Sequence, residues 1–205
     1  MKDYIRVTVG SYDKSISKYE NFTGKLHPKK EAKFFLSLIR EKSKILDLGC
    51  GTGRDSCIFS AKGYSVTGID LSRKMINYAR KRCKCPVFRL MDMRKLRFKS
   101  KTFGSIWANA SILHLSKKEL PQVINEITRV LNKNGILYMS VKKGSGEGIM
   151  RDDRYGGLPK YWSYFSKSEL LKYLKNFKII KSYVTKYNDK YMTKPWLIVF
   201  AKKDN

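Results

Sequence analysis

Strand-like and helix-like segments alternate along most of the chain, and this alternation constrains its fold more than any other feature. The runs KILDLG, YSVTGID, PVFRLM, FGSIWAN and GILYMSV are short, apolar and rich in residues that favour strands. Between them lie segments whose apolar residues have helical spacing, as in residues 120–131. Such alternation predicts an open, mostly parallel sheet that is covered by helices on both faces.

The two ends of the chain extend this pattern. Two further strand-like runs, FKIIKSYVT and PWLIVFA, follow each other near the C-terminus without a helix between them. They are predicted to form an antiparallel hairpin at one edge of the sheet. Apolar residues at positions 34, 35, 38 and 39 predict at least one helix before the first strand. The expected fold is therefore α/β and Rossmann-like, a doubly wound sheet of seven strands with an N-terminal helical arm.

Three glycines, Gly49, Gly51 and Gly53, follow the first strand in the run ILDLGCGTGRD. Glycine lets the backbone approach a ligand closely, and ligands of such sheets lie beyond the carboxyl ends of the strands. The second strand ends in Asp70, where a carboxylate can accept hydrogen bonds from ribose hydroxyls. The spacing G-x-G-x-G departs from the dinucleotide pattern, and the acid Asp55 at the helix start disfavours a phosphate. We therefore expect a ligand that carries a ribose and a cationic amino acid group.

These motifs resemble those of the class I S-adenosylmethionine (SAM)-dependent methyltransferases, and the resemblance covers nearly the whole chain. Its anchors are ILDLGCGTGRDS, VTGIDLS, LMDMR, WANASILHL and VLNKNGILYMSV. It implies one domain over residues 1–205, with a helical arm (1–43), a SAM-binding core (44–141) and a substrate loop with the C-terminal hairpin (142–205). It also implies in-line transfer of the SAM methyl group to an acceptor, with S-adenosylhomocysteine (SAH) as the product and no metal.

The resemblance also implies where SAM is bound. The implied cofactor contacts are Tyr19, Asp47, Gly49, Gly51, Gly53, Asp70, Leu71, Asp92, Met93 and Asn109. Asp47 and the three glycines would face the methionine part of SAM. Asp70 would hold the ribose, Leu71 would pack on the adenine, and Asp92 would accept a hydrogen bond from the adenine amine. Two alternatives stay open, namely that Asp70 only caps a helix and that Asp92 only neutralises its basic neighbours.

The acceptor is expected between the arm and the segment that follows the fifth strand. In similar enzymes the arm folds over the cofactor, and Tyr19 is the arm residue that we expect to contact it. The segment of about 25 residues is interpreted as a loop without regular structure, and loops of that length tend to be functional. The candidate substrate contacts are His114, Arg154, Tyr155, Trp162 and Tyr164. His114 and Tyr19 are the candidate catalytic bases, with a structural role for His114 and an aromatic packing role for the loop as the alternatives.

The net charge of the chain leaves its partner open. The sequence has 44 Lys and Arg against 17 Asp and Glu, a net charge of +27, and such a surface attracts polyanions. A small-molecule acceptor is preferred, because the fourth strand ends in ANAS and lacks the Asn/Asp-Pro-Pro-aromatic tetrapeptide of many enzymes that methylate base or amide nitrogens. The alternatives are a tRNA or rRNA methyltransferase that uses the lysine-rich surface, and a SAM-binding module without catalysis.

The remaining expectations concern location and the other reactive side chains. The N-terminal run MKDYIRVTVGSYDKS has no apolar stretch typical of a signal peptide, and no apolar run approaches the length of a membrane span. A cytoplasmic protein without a membrane partner is therefore expected. The four cysteines are predicted to be reduced thiols, since Cys83 and Cys85 are too close for a typical zinc pair. His27, before Pro28, is predicted to be an exposed loop residue.

Overall fold

The structure is a computed structural model that describes residues 2–24, 26–153, 156–185 and 195–204. Its helices are α1 (Asp3–Lys14), α2 (Ile16–Thr23), α3 (Lys29–Leu38), α4 (Arg54–Ala61), α5 (Arg73–Arg82), α6 (Leu120–Val130) and α7 (Lys167–Lys172). Its strands are β1 (Lys44–Leu48), β2 (Ser65–Asp70), β3 (Val87–Leu90), β4 (Phe103–Asn109), β5 (Leu131–Lys142), β6 (Glu147–Asp152), β7 (Leu158–Ser163), β8 (Phe177–Val184) and β9 (Trp196–Lys203). Two 3₁₀ turns, Ile112–His114 and Lys117–Glu119, connect β4 to α6.

Seven strands form the central sheet in the order β3-β2-β1-β4-β5-β9-β8. Strands β1 to β5 are parallel, and β9 runs antiparallel between β5 and β8. The predicted doubly wound sheet and its C-terminal hairpin are therefore confirmed, with the last strand as the inner member of the hairpin. The strand order reverses between β1 and β4, so that a crevice opens at the carboxyl ends of these two strands.

The central strands are buried on both faces, as their continuous apolar runs predict. In β1, Ile45 packs with the core under α3, whereas Leu46 and Leu48 belong to the larger core on the opposite face. Trp107 of β4 stacks on Tyr138 of β5 with ring centroids 3.8 Å apart. This dense packing fixes the carboxyl ends of the strands around the crevice.

The segment after β5 is not the irregular loop that the sequence predicted. Strands β6 and β7 pair with each other as an antiparallel ribbon from Glu147 opposite Ser163 to Asp152 opposite Leu158. The alternation in β7 is hidden in the sequence because one of its buried positions is a lysine, Lys160, whose ammonium lies 3.3 Å from Asp152. A pattern of apolar residues alone cannot detect such a strand.

The expectation of four reduced cysteines is wrong for two of them. Cys57 of α4 and Cys83, which follows α5, form a disulfide, while Cys50 and Cys85 are free. Both bonded residues pack against the same small apolar cluster, which includes Phe88. The disulfide cannot be predicted from the sequence, because 26 residues separate the two cysteines. Only the packing of the helices on the sheet brings them together.

The described residues contain no helix that is both long and apolar enough to cross a bilayer.

Candidate functional site

A cavity lies at the carboxyl ends of the parallel strands, under α1. It encloses about 850 Å³ of empty space, including its opening to solvent. The lining residues are Ile5, Thr8, Val9, Tyr12, Tyr19, Gly49, Gly51, Ile69, Asp70, Leu71, Met75, Met91, Asp92, Met93, Arg94, Asn109, Ala110, Ser111, His114 and Leu115. The arm, the glycine loop and the ends of β2 and β4 therefore share one cavity.

The glycine loop needs its glycines for two separate reasons. Gly49 and Gly51 have φ angles of 79° and 53°, which favour glycine over other residues. A Cβ atom at Gly49 would also collide with Ser111, and one at Gly51 would lie 3.3 Å from the hydroxyl of Tyr19. The hydroxyl of Ser111 is buried without a hydrogen-bond partner among the described residues, and Ser111 lines the cavity. A bound polar ligand would satisfy this orphaned group.

Asp70 closes β2 and connects the glycine loop to the start of α5. Its carboxylate accepts hydrogen bonds from the backbone N–H groups of Gly51 (3.0 Å) and Ser72 (2.8 Å). Burial raises the pKa of Asp70, and these hydrogen bonds oppose the shift. The helix cap itself is Ser72, whose hydroxyl accepts from the backbone of Met75, so the capping alternative for Asp70 does not account for its position.

A second, smaller and more polar cavity also borders the glycine loop. Its lining residues are Tyr19, Thr23, Asp47, Gly49, Cys50, Thr52, Arg54, Asp55 and Asn109. Asp47 accepts a hydrogen bond of 2.6 Å from the hydroxyl of Ser56. Burial and the charge of Asp55 raise the pKa of Asp47 to about 7. Because Tyr19, Gly49 and Asn109 line both cavities, the two cavities are neighbours.

Asp55, the acid at the start of α4, is the structural centre of the smaller cavity. Its carboxylate accepts hydrogen bonds from Arg54 (2.7 Å), Trp107 (2.8 Å) and Asn109 (2.9 Å), and the Nδ1 atom of His27 lies 3.1 Å away. Burial alone would raise the pKa of Asp55, but the bonds from His27 and Arg54 hold it well below its usual range. The predicted exposure of His27 is therefore wrong, since this residue joins the arm to α4.

Asp92 lines the larger cavity and is paired with a neighbouring guanidinium. Arg94 donates to both carboxylate oxygens of Asp92 and, through its Nη1 atom, to Glu119 at 2.7 Å. Burial opposes ionisation of Asp92, but the hydrogen bonds from Arg94 lower its pKa. Asp92 is thus a charged group on the cavity wall with one cationic partner, and its contact with adenine stays a prediction.

His114 lies on the cavity wall in the 3₁₀ turn after β4. Its Nδ1 atom is 2.7 Å from the carbonyl oxygen of Tyr161, and its Nε2 atom is 2.8 Å from the hydroxyl of Tyr12. Burial lowers the pKa of His114 to about 4, against the opposing effect of the Tyr161 carbonyl. The imidazole is therefore neutral at pH 7, and the ring of Trp162 packs beside it with centroids 4.7 Å apart.

The arm contributes residues that the sequence analysis did not single out as site residues. Ile5, Thr8, Val9 and Tyr12 of α1 all line the cavity. Their spacing of i, i+3, i+4 and i+7 is that of one helix face, and this signal was present in the sequence. The helix is held to the ribbon by the backbone N–H of Tyr161, which donates to the Thr8 hydroxyl at 2.9 Å.

The predicted site residues differ in where the structure places them. Ten of them line one or both cavities: Tyr19, Asp47, Gly49, Gly51, Asp70, Leu71, Asp92, Met93, Asn109 and His114. Gly53 ends the same glycine loop with a φ angle of 78° but lines neither cavity. Trp162 and Tyr164 are buried in the large core rather than on a cavity wall. Arg154 and Tyr155 lie outside the described residues.

The part of the chain that the structure describes holds no group of three or more His, Cys, Asp or Glu side chains arranged to bind a metal ion.

Comparison with known proteins agrees with this fold. Residues 45–135 match a family model described as a methyltransferase domain. A malonyl-(acyl-carrier protein) O-methyltransferase from Erwinia pyrifoliae is 34% identical over 103 residues, which cover 50% of this chain and 38% of that protein. The chain spans half or less of the length of the first curated relatives that it matches.

Two solved structures extend the likeness beyond the matched region. A SAM-dependent methyltransferase from Methanosarcina mazei superimposes with a TM-score of 0.75 at 23% identity, over 87% of this chain and 98% of that one. The 1,6-didemethyltoxoflavin-N1-methyltransferase of Burkholderia thailandensis, with bound SAH, gives a TM-score of 0.73 at 18% identity, over 99% of this chain and 90% of that one. The matched region carries the glycine loop, Asp70, Asp92 and His114 and is similar to a methyltransferase domain, and the chain as a whole has the fold of these SAM-dependent methyltransferase structures.

Proposed function

We propose that this protein transfers the methyl group of SAM to a small-molecule acceptor that binds within the cavity under α1. The observation that carries the proposal is that two cavities lie next to each other at the glycine loop and share Tyr19, Gly49 and Asn109 on their walls. The smaller one is polar and holds Asp47, which suits the amino acid end of SAM. The larger one has Asp70 and Asp92 on its wall, which suits the nucleoside end and leaves the region near His114 for the acceptor.

SAM when bound supplies an already activated methyl group, so the protein mainly has to align the reactants and exclude water. Asp47 is the proposed partner of the amino group, because it is buried, lines the smaller cavity and has a raised pKa. Asp70 is proposed to exchange part of its backbone hydrogen bonding for the ribose hydroxyls. Tyr19, above Gly51, is proposed to cover the cofactor from the arm.

A small acceptor is favoured over RNA by the shape and charge of the site. Helix α1 covers the cavity, and the carboxylates of Asp47, Asp55, Asp70 and Asp92 lie in or beside it. These carboxylates suit a cationic cofactor and oppose the approach of a polyanion. The Burkholderia neighbour is named for methylation of a small molecule, and the Erwinia relative for methylation of a malonyl group on a carrier protein. The net charge of +27 is the observation that favours RNA.

The test uses SAM with a labelled methyl group and two separate fractions of cell extract, one of small molecules and one of RNA. Label in the small-molecule fraction supports the proposal, and label in RNA at moderate salt supports the RNA alternative instead. SAM binding by calorimetry without transfer to either fraction would support a binding module. Asp70→Ala, which removes a cavity carboxylate, is compared with Asp3→Ala, which removes an exposed one.

A further inference from the structure

We propose that Tyr12 is the catalytic base of this site, accepting the proton of a neutral hydroxyl or amine acceptor while its own phenolic proton moves to His114. This inference rests on the proposed function and names the class of acceptor for it. It replaces Tyr19 by Tyr12 as the tyrosine that takes part in proton transfer. Both Tyr12 and His114 line the larger cavity, and Tyr19 lies beside Tyr12 with ring centroids 5.4 Å apart.

The direction of the hydrogen bonds between Tyr12, His114 and the carbonyl group of Tyr161 is set by the carbonyl group. The carbonyl oxygen of Tyr161 can only accept, so the Nδ1 atom of His114 must carry a hydrogen and donate it at 2.7 Å. In the neutral imidazole the Nε2 atom is then an acceptor, and the hydroxyl of Tyr12 donates to it at 2.8 Å. The oxygen of Tyr12 consequently meets a ligand as an acceptor, and its best partner is an O–H or N–H group.

The surroundings hold this arrangement in place. Tyr161 belongs to β7, whose backbone is bonded to Thr8 of α1, one helical turn before Tyr12. His114 is packed between Tyr12 and Trp162. The ammonium of the buried Lys160 lies 4.6 Å from the centre of the Tyr12 ring. The helix, the ribbon and the 3₁₀ turn after β4 therefore converge on one short path for a proton.

The reaction balances along this path without any further reactant. The acceptor X–H uses a lone pair of X to form the X–CH₃ bond, the carbon–sulfur bond breaks, and the sulfur keeps that electron pair. The proton of X passes to the oxygen of Tyr12 as the phenolic proton passes to Nε2 of His114, and the X–H electron pair stays on X. One positive charge is lost at sulfur and one appears on the imidazole, so the net charge in the buried site does not change.

The hydrogen-bond direction can be tested without an acceptor. Nitrogen-15 NMR of protein labelled at histidine has only two residues to resolve, His27 and His114, and the spectrum of His114→Gln assigns both. With SAH present at pH 7, we expect His114 to be protonated at Nδ1 and unprotonated at Nε2. Tyr12→Phe should move the Nε2 resonance, whereas Tyr4→Phe should not. Protonation at Nε2 in the wild type, or an unchanged Nε2 resonance in Tyr12→Phe, would overturn the proposal.

The proton transfer itself is tested with the fraction that accepts the labelled methyl. Tyr12→Phe and His114→Gln should each lower the transfer rate by about 100-fold or more while SAH affinity changes far less. Glutamine can accept a hydrogen bond from Tyr12 but takes up no proton, so a wild-type rate in His114→Gln would contradict the relay. Tyr4→Phe is the matched control, since Tyr4 lies on the same helix, packs on Tyr161 and does not line the cavity.

The two proposals fail in different ways. If the wild type transfers no methyl group to any fraction, the proposed function fails and the relay falls with it. If the wild type transfers the methyl group and Tyr12→Phe does so equally well, the proposed function stands and only the relay is wrong.

Discussion

Two buried carboxylates in the smaller cavity, Asp55 and Asp47, differ in their hydrogen bonding and their charge. Asp55 accepts from Arg54, Trp107 and Asn109 and stays ionised. Asp47, in the same polar cavity, accepts a side-chain hydrogen bond from Ser56 among the described residues and has a raised pKa. The number of hydrogen-bond donors around each carboxylate therefore decides its role. Asp55, with several donors, keeps its charge without a ligand, whereas Asp47 is left to pair with a cationic ligand.

The raised pKa of Asp47 predicts that SAM binding depends on pH. Its pKa of about 7 means that the carboxyl group is protonated below pH 7 and must lose a proton to pair with a cationic amino group. We expect the affinity for SAM to fall as the pH is lowered from 7 to 5, by up to about tenfold per unit. Calorimetry in buffers of different ionisation enthalpy would detect the released proton.

Asp47→Asn is the control for this dependence, because asparagine has no proton to lose. The variant should bind SAM more weakly at pH 7 and show a flat profile between pH 5 and 7. An equally flat profile in the wild type would contradict a role for Asp47 in binding the amino group.

At the level of single residues, sequence alone locates those that the backbone conformation requires. The glycines at positive φ and the acid at the end of β2 leave a signature that depends only on local spacing. Tyr12 was passed over because its significance depends on contacts with His114, 102 residues away, and on the ribbon behind it. Contacts of that kind exist only after the chain has folded.

At the scale of elements, a disulfide joins the helices that follow the glycine loop and Asp70. Helix α4 follows the glycine loop, α5 follows Asp70, and the Cys57–Cys83 bond connects them. Closing a loop of this length restricts the unfolded chain and is worth about 3.5 kcal/mol in the chain-entropy model. Cys57→Ala should therefore lower the free energy of unfolding by roughly that amount.

Denaturant unfolding with and without a reducing agent measures this contribution. Reductant should destabilise the wild type and leave Cys57→Ala unaffected. Cys85→Ala, which removes an exposed free thiol, is the matched control and should behave like the wild type. Equal stability of the wild type in both conditions would show that the bond does not contribute to stability.

Strands and helices could be predicted from sequence where their apolar residues are continuous or recur with a regular period. Strands β1, β2 and β4 and helix α6 have continuous or periodic apolar residues and were predicted correctly. The ribbon was missed because Lys160 occupies a buried position of β7, where its partner Asp152 is on the opposite strand. A charge that is neutralised across two strands has no counterpart in a single segment of sequence.

For the whole molecule, the excess of positive charge should weaken the folded state through self-repulsion. A net charge of +27 on 205 residues is large, and the compact state brings like charges together. Added salt screens these charges, with a Debye length of about 10 Å at 0.1 M and 3 Å at 1 M. We expect the unfolding midpoint to rise between low and moderate sodium chloride, measured by thermal unfolding. A midpoint that falls with salt would mean that specific ion pairs outweigh the repulsion.

The overall architecture was the most predictable level, because alternation of strands and helices leaves few alternatives to a doubly wound sheet. That architecture also places the ends of β1, β2 and β4 at one edge, so the approximate position of the site followed from the fold. The way in which α1 and the ribbon cover the site does not follow from the fold, because they are held there by side-chain contacts specific to this chain.

The central claim is that the glycine loop and Asp70 bind SAM in the crevice under α1. Titration calorimetry of SAH with the wild type, Asp70→Ala and Asp3→Ala tests it most directly. We predict binding by the wild type and Asp3→Ala, and a loss in Asp70→Ala of about 1.5 to 3 kcal/mol for each charge-assisted hydrogen bond removed. Unchanged SAH affinity in a folded Asp70→Ala protein would contradict the account.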